Sequence, residues 1–146
     1  MRILVLESNP EGPESLLSLL SVDYHVTGLS SFSKAAAELV FGSSEWHLIV
    51  AEEFLDERPV RDLIATYHLI KSLHAAPWII TTGDATSSAC VSSALNSPFA
   101  TIRRSAPDSA ILALVAKALE VHSAERESRR TFHRIPRPSR DELDHD

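Results

Sequence analysis

Three short runs of the chain are apolar but for one terminal residue at most: RILVL at 2–6, LIVA at 48–51 and WIIT at 78–81. Such runs, four or five residues long, fit strands buried on both faces. YHVTGL at 24–29 and FATI at 99–102 carry a weaker form of the same signal, giving five expected strands. The segments between them have helical period. PESLLSLLSV opens with Pro13, suited to a first helical turn, and sets Leu16, Leu17, Leu19 and Leu20 on a broad stripe. SFSKAAAELVF begins with serines able to cap a helix and ends at Gly42. RPVRDLIATYHLIKSLH, from Arg58, spaces Val60, Leu63, Ile64, Tyr67 and Ile70 for one helix face, and TSSACVSSAL at 86–95 suits a short polar helix. APDSAILALVAKALEVH places Pro107 in a first turn and Ile111, Leu112, Leu114, Val115 and Leu119 on an apolar face.

Strand and helix thus alternate five times, in units of close to 25 residues. Each right-handed crossover supplies a helix, so the pattern predicts a doubly wound parallel sheet with helices on both faces. Ligands of such sheets sit at the carboxyl ends of the strands, where strand order reverses.

With 146 residues, 44% hydrophobic and 23% charged, the chain has the make-up of one ordinary globular domain. Cys90 is the only cysteine, which excludes an internal disulfide and a cysteine-based zinc site and suits a reducing cytoplasm. No apolar run is long enough for a signal peptide core or a membrane helix, so no membrane association is expected. Residues 1–123 carry 8 basic and 14 acidic side chains, and 124–146 carry 6 of each. So acidic a body is ill suited to a phosphate backbone, and nucleic acid is not an expected partner. The segment 124–146 loses apolar periodicity and is expected to prolong the last helix and then lose order, leaving 1–123 as the folded domain.

The strand ends carry the candidate chemistry. They read Glu7 and Ser8 after the first strand, Glu52 and Glu53 after the third, Thr81 and Thr82 after the fourth, and Arg103 and Arg104 after the fifth. Carboxylates suit a hard divalent ion, and a hydroxyl with a cation suits phosphoryl oxygens. Each position alone is also the ordinary polar residue by which a buried strand reaches water. Elsewhere the chemistry is sparse. His68 and His74 lack the spacing of a two-ligand metal helix, no G-x-S-x-G elbow occurs, and four glycines are too few for a phosphate-cradling loop. Cys90 is expected to pack. The arginines at 126, 129, 130, 134, 137 and 140 alternate with acids and read as solvated.

RILVLESNP, LIVAEE, PWIITTGD and TIRRSAPDSAI resemble, in that order, the corresponding strands and strand ends of the receiver domain of bacterial response regulators. The resemblance covers Met1 to His122 and implies a flavodoxin-like sheet of order 2-1-3-4-5. It places Glu52 at the phosphoacceptor, Glu7, Ser8 and Glu53 in the acidic pocket, and Thr82 and Arg103 at the switch threonine and the paired lysine. The aromatic that the family often carries before that lysine is Ala100 here, beside Phe99.

Only the threonine is kept in kind. Glutamate at 52 is longer than aspartate by a methylene, and misplacing a nucleophile by an ångström can cost about a hundredfold. Ser8 removes one of the charges that would hold magnesium, and Arg103 offers a planar fork in place of a flexible ammonium. The expectation is a non-catalytic, receiver-like module that binds a protein partner or itself through about Thr86–His122, including Val91, Leu95 and Phe99, independently of phosphorylation. No cofactor is expected, and any magnesium would fall on Glu7 and Glu52. Glu52 either pairs with Arg103 or Thr82 in imitation of a phosphorylated state or is a solvated strand-end residue. The rivals are a phosphorylatable regulator served by a sensor kinase and a small-ligand or structural domain of the same fold. Asp56 and Asp84 are loop acids that would serve only as displaced acceptors.

Overall fold

The computed structural model describes residues 1–42, 44–71, 75–83 and 100–134, with side chains described up to residue 128. The segments expected as the polar helix at 86–95, together with Asp84, Cys90, Val91, Leu95, Phe99 and His74, lie outside the described residues.

The five expected strands form one parallel sheet: β1 (Arg2–Leu6), β2 (His25–Leu29), β3 (Leu48–Glu52), β6 (Trp78–Thr82) and β7 (Ala100–Arg103), in the order β2-β1-β3-β6-β7. Two strands of two residues each, β4 (Phe54–Leu55) and β5 (Arg58–Pro59), make a separate antiparallel hairpin. Counting only the strands of the main sheet, the order is the expected 2-1-3-4-5.

The apolar runs are explained by how they divide. Leu4, Leu6, Ile49, Ala51, Trp78 and Ile80 face α2 (Phe32–Phe41) and α3 (Arg61–Lys71) in one core. Ile3, Val5, Leu48, Val50 and Ile79 face α1 (Leu16–Leu20) and α4 (Asp108–Arg134) in the other. Successive side chains leave a strand on opposite faces, so a strand between two cores has no polar position to spare. Each fully buried Leu, Ile or Val among them contributes about 1.5–3 kcal/mol of transfer free energy. The edge strands β2 and β7 are only partly covered, and their sequence signal is correspondingly weaker.

Several boundaries differ from expectation. Pro13 lies outside α1, which begins at Leu16 after the N-cap Ser15, whose hydroxyl accepts from Ser18 N–H. Leu17 and Leu19 are half-buried, while Leu16 and Leu20 enter the core. The third helix starts at Arg61 and not at Arg58, because Arg58 and Pro59 belong to the hairpin. Ile70, expected on its apolar face, is 47% exposed: Val60, Leu63, Ile64 and Tyr67 define the inward stripe and Ile70 falls at its margin. α2 does end at Gly42, whose N–H donates to the Glu38 carbonyl. A Cβ at Gly42 would stand 2.3 Å from that carbonyl oxygen, which is why glycine is needed there.

α4 runs through position 124 without a break. Arg126, read from sequence as part of a solvated tail, forms an ion pair with Glu45 in the loop before β3. No described helix is long and apolar enough to cross a membrane.

Candidate functional site

The carboxyl ends of β1, β3, β6 and β7 bring the expected residues to one edge of the sheet. There they take up different tasks.

Glu7 has the parity of Ile3 and Val5, so its side chain leaves the strand on the face covered by α1. It is 3% exposed, and its two carboxylate oxygens accept from the N–H groups of Leu16 and Leu17, both at 3.0 Å. These are the first N–H groups of α1, which have no partner within the helix. With Ser15 accepting from Ser18, the start of this short helix is capped at three successive N–H groups. A carboxylate there also faces the positive end of the helix dipole.

Glu52 is held by Ser8. The Ser8 N–H donates to Oε1 and the Ser8 hydroxyl to Oε2, each at 3.1 Å. Neither Arg103 nor Thr82, the partners expected from sequence, bonds to this carboxylate. Arg103 aligns with Thr82 across β6 and β7 and is exposed, and it forms no ion pair with a described residue. The cation that does reach back across the rim is Arg104, whose guanidinium donates to the Glu14 carbonyl before α1. Glu53 is buried, and its backbone carries the contact: its N–H donates to Thr81 carbonyl and its carbonyl accepts from Val60 N–H. Thr82 lines a cleft of about 900 Å³ with Gly83, Arg104, Ser105, Ser15 and Ser18.

Each carboxylate oxygen of Glu7 and Glu52 already accepts from one N–H or O–H donor, so a magnesium ion there would have to share oxygens that hold the start of α1 and Ser8. Ser8 adds no charge to the pocket, and the described residues hold no group of three or more His, Cys, Asp or Glu arranged for a metal.

Asp56, weighed from sequence as a displaced acceptor, is committed elsewhere. Its carboxylate accepts from Phe32 N–H, the first of α2, at 2.7 Å, while the Arg58 guanidinium lies 3.8 Å from the Phe32 ring centroid. Asp56 and its neighbour Glu57 have φ of 52° and 63°, the only positive values among described non-glycine residues. Left-handed backbone costs an L-residue roughly 1–2 kcal/mol. A charge-assisted hydrogen bond contributes about 1.5–3 kcal/mol, and a solvent-exposed cation such as Arg58 over an aromatic ring about 0.5–1 kcal/mol. Strain and contacts are therefore of similar size. The hairpin was invisible to apolar periodicity because strands of two residues have none; its signal was a DE pair, in place of the usual Asn-Gly, between FL and RP.

A parallel sheet ordered with its first strand inside the second, and acids at the strand ends, defines the doubly wound α/β class with its site at the carboxyl edge. Within that class the chain has the fold of response-regulator receiver domains. It is similar to a CheY-like receiver domain protein from Methanospirillum hungatei JF-1, with TM-score 0.72 and 18% identity over 85% of this chain and 97% of that one. It is likewise similar to the signal receiver domain of an HD domain-containing protein from Pseudomonas fluorescens Pf-5, with TM-score 0.71 and 22% identity over 86% and 91%. The N-terminal domain of a response regulator/sensory box/GGDEF three-domain protein from Carboxydothermus hydrogenoformans matches with TM-score 0.70 and 17% identity over 85% and 98%. No protein-family model matches the sequence, and no curated protein does.

Proposed function

We propose that this chain is a receiver-like signalling module that acts by binding protein, with a strand-end site that works without magnesium or phosphoryl transfer. The carrying observation is the double engagement of Glu52 by Ser8. A phosphoacceptor must present a free oxygen in line with the incoming phosphorus, and here both oxygens are turned to one neighbouring residue. Glu7 supports the same reading, since the acid nearest a magnesium position is spent on capping α1.

Output then depends on surfaces. The expected one, from about Thr86 to His122, includes the exposed outer side of α4. Two of the similar chains are domains of larger proteins by their descriptions, an HD domain-containing protein and a three-domain regulator, which supports a role in passing signals to other domains or chains. Catalysis by the domain itself forms no part of this proposal, and a cytoplasmic setting suits it.

The test is a titration followed by amide NMR. Magnesium with beryllofluoride is expected to leave the signals of Glu7, Ser8, Glu52, Thr82 and Arg103 in place. Saturable shifts of those signals would overturn the reading in favour of a phosphorylatable regulator.

A further inference from the structure

The Asp56–Glu57 turn joins two elements that no other described side-chain hydrogen bond connects, the rim after β3 and the start of α2. Residues 56–58 at its tip are exposed, whereas Leu55 and Val60 on either side are fully buried. The ends of the tip are thus fixed in the core, and the tip reaches the start of α2 through two contacts with Phe32: Asp56 on its N–H, Arg58 on its ring. Against those contacts stand two adjacent left-handed residues, neither of them glycine. Positive φ at both centre positions is what a type I′ turn demands, and glutamate is a poor occupant of the second.

We propose that this hairpin tip is a two-position clasp between the carboxyl rim and α2. In the closed position, the one in this structure, Asp56 caps the first N–H of α2 and the turn is strained. In the open position the turn relaxes, Phe32 loses its acceptor, and Leu55 and Val60 stay buried so that neither core unfolds. The clasp bears on the site because the hairpin is rooted in Glu53, whose backbone bonds to β6 on one side and to Val60 on the other, directly after Glu52. A partner that touches the rim at Glu52 or the half-exposed Phe54 and favours one position biases α2 through Asp56. The device is independent of whether the site accepts a phosphoryl group.

Two variants of the full chain separate strain from contact. Asp56→Gly relaxes the turn and removes the acceptor, and Glu57→Gly relaxes the turn and leaves both contacts to Phe32. Amide hydrogen exchange read by NMR is expected to quicken at Phe32 by about tenfold or more in Asp56→Gly, with the amides of Ile49, Val50 and Ile79 unchanged. In Glu57→Gly it is expected to slow at Phe32 by roughly threefold. The proposal is overturned if both variants move Phe32 in the same direction, if either leaves it unmoved, or if the core amides change by the same factor as Phe32.

Discussion

Ser8 grips the Glu52 carboxylate at both oxygens, with its backbone N–H on one and its hydroxyl on the other, each at 3.1 Å. The bond ties the end of β1 to the end of β3 across the edge where the fold gathers its functional groups. The extra methylene of glutamate over aspartate lengthens the reach of the carboxylate toward the neighbouring strand end.

Removing the Ser8 hydroxyl tests that grip. Ser8→Ala is expected to lower the free energy of unfolding by about 0.5–1.5 kcal/mol, since the site is solvent-accessible and the backbone bond remains. Urea denaturation measures it. Glu52→Ala, which removes both bonds, should cost more than Ser8→Ala, and an equal cost would mean that the hydroxyl carries the whole effect.

Glu7 should matter more for stability than Glu52 at the end of β3. Glu7→Ala leaves one buried and one part-buried N–H group without an acceptor at the start of α1, a loss of about 2–4 kcal/mol. Glu7→Gln keeps one good acceptor and should cost less. Chemical denaturation ranks the two, and amide exchange should rise at both Leu16 and Leu17 in Glu7→Ala but mainly at one of them in Glu7→Gln.

Trp78 is fully buried, and its indole N–H has no hydrogen-bond partner among the described residues. Its ring meets Tyr67 edge-on with centroids 5.9 Å apart. Trp78→Phe removes the unpaired donor while keeping the aromatic contact, so the gain from the first offsets much of the lost volume. A net destabilisation under about 1.5 kcal/mol is expected, against about 3–5 kcal/mol for Trp78→Ala. Thermal unfolding of the two variants decides it.

His47 gives stability a pH dependence. Its Nδ1 accepts from Arg2 N–H at 3.1 Å, a bond open to an imidazole unprotonated at Nδ1. Burial, followed by the charge of the N-terminal amine, holds its pKa below the ordinary 6.5. In the unfolded chain the group takes up a proton near 6.5, before the folded form does, so the unfolded state binds more protons in that interval. The contribution is complete above 6.5 and is lost as pH falls from there through the folded pKa. His68, lowered by burial, acts in the same direction. His47→Gln should flatten the slope of stability between pH 7 and pH 5 relative to the parent, as followed by urea midpoints.

The histidines show how far sequence patterns reach. Spacing excluded a metal pair for His68 and His74, but nothing in the pattern marked His47 as an acceptor, because its donor, Arg2, is 45 residues away. The same holds at the rim. Parity along β1 was enough to send Glu7 and Ser8 to opposite faces, yet the partners they find there, α1 and Glu52, come from chain separations of 9 to 44 residues. Arg104 and Arg103 are alike in sequence, and only the turn after β7 directs the former to the Glu14 carbonyl.

Sequence by itself determined the parallel sheet, since strands with no polar position must be covered on both sides, and the gathering of Glu7, Ser8, Glu52, Thr82 and Arg103 at one edge, since right-handed crossovers leave no other arrangement. Local chemistry also fixed the helix end at Gly42 and the capping serines. Tertiary structure alone decided what the acids do. A carboxylate takes whichever donors stand within about 3 Å. Those donors, the α1 amides for Glu7, Ser8 for Glu52 and Phe32 N–H for Asp56, are brought within reach only when the layers pack.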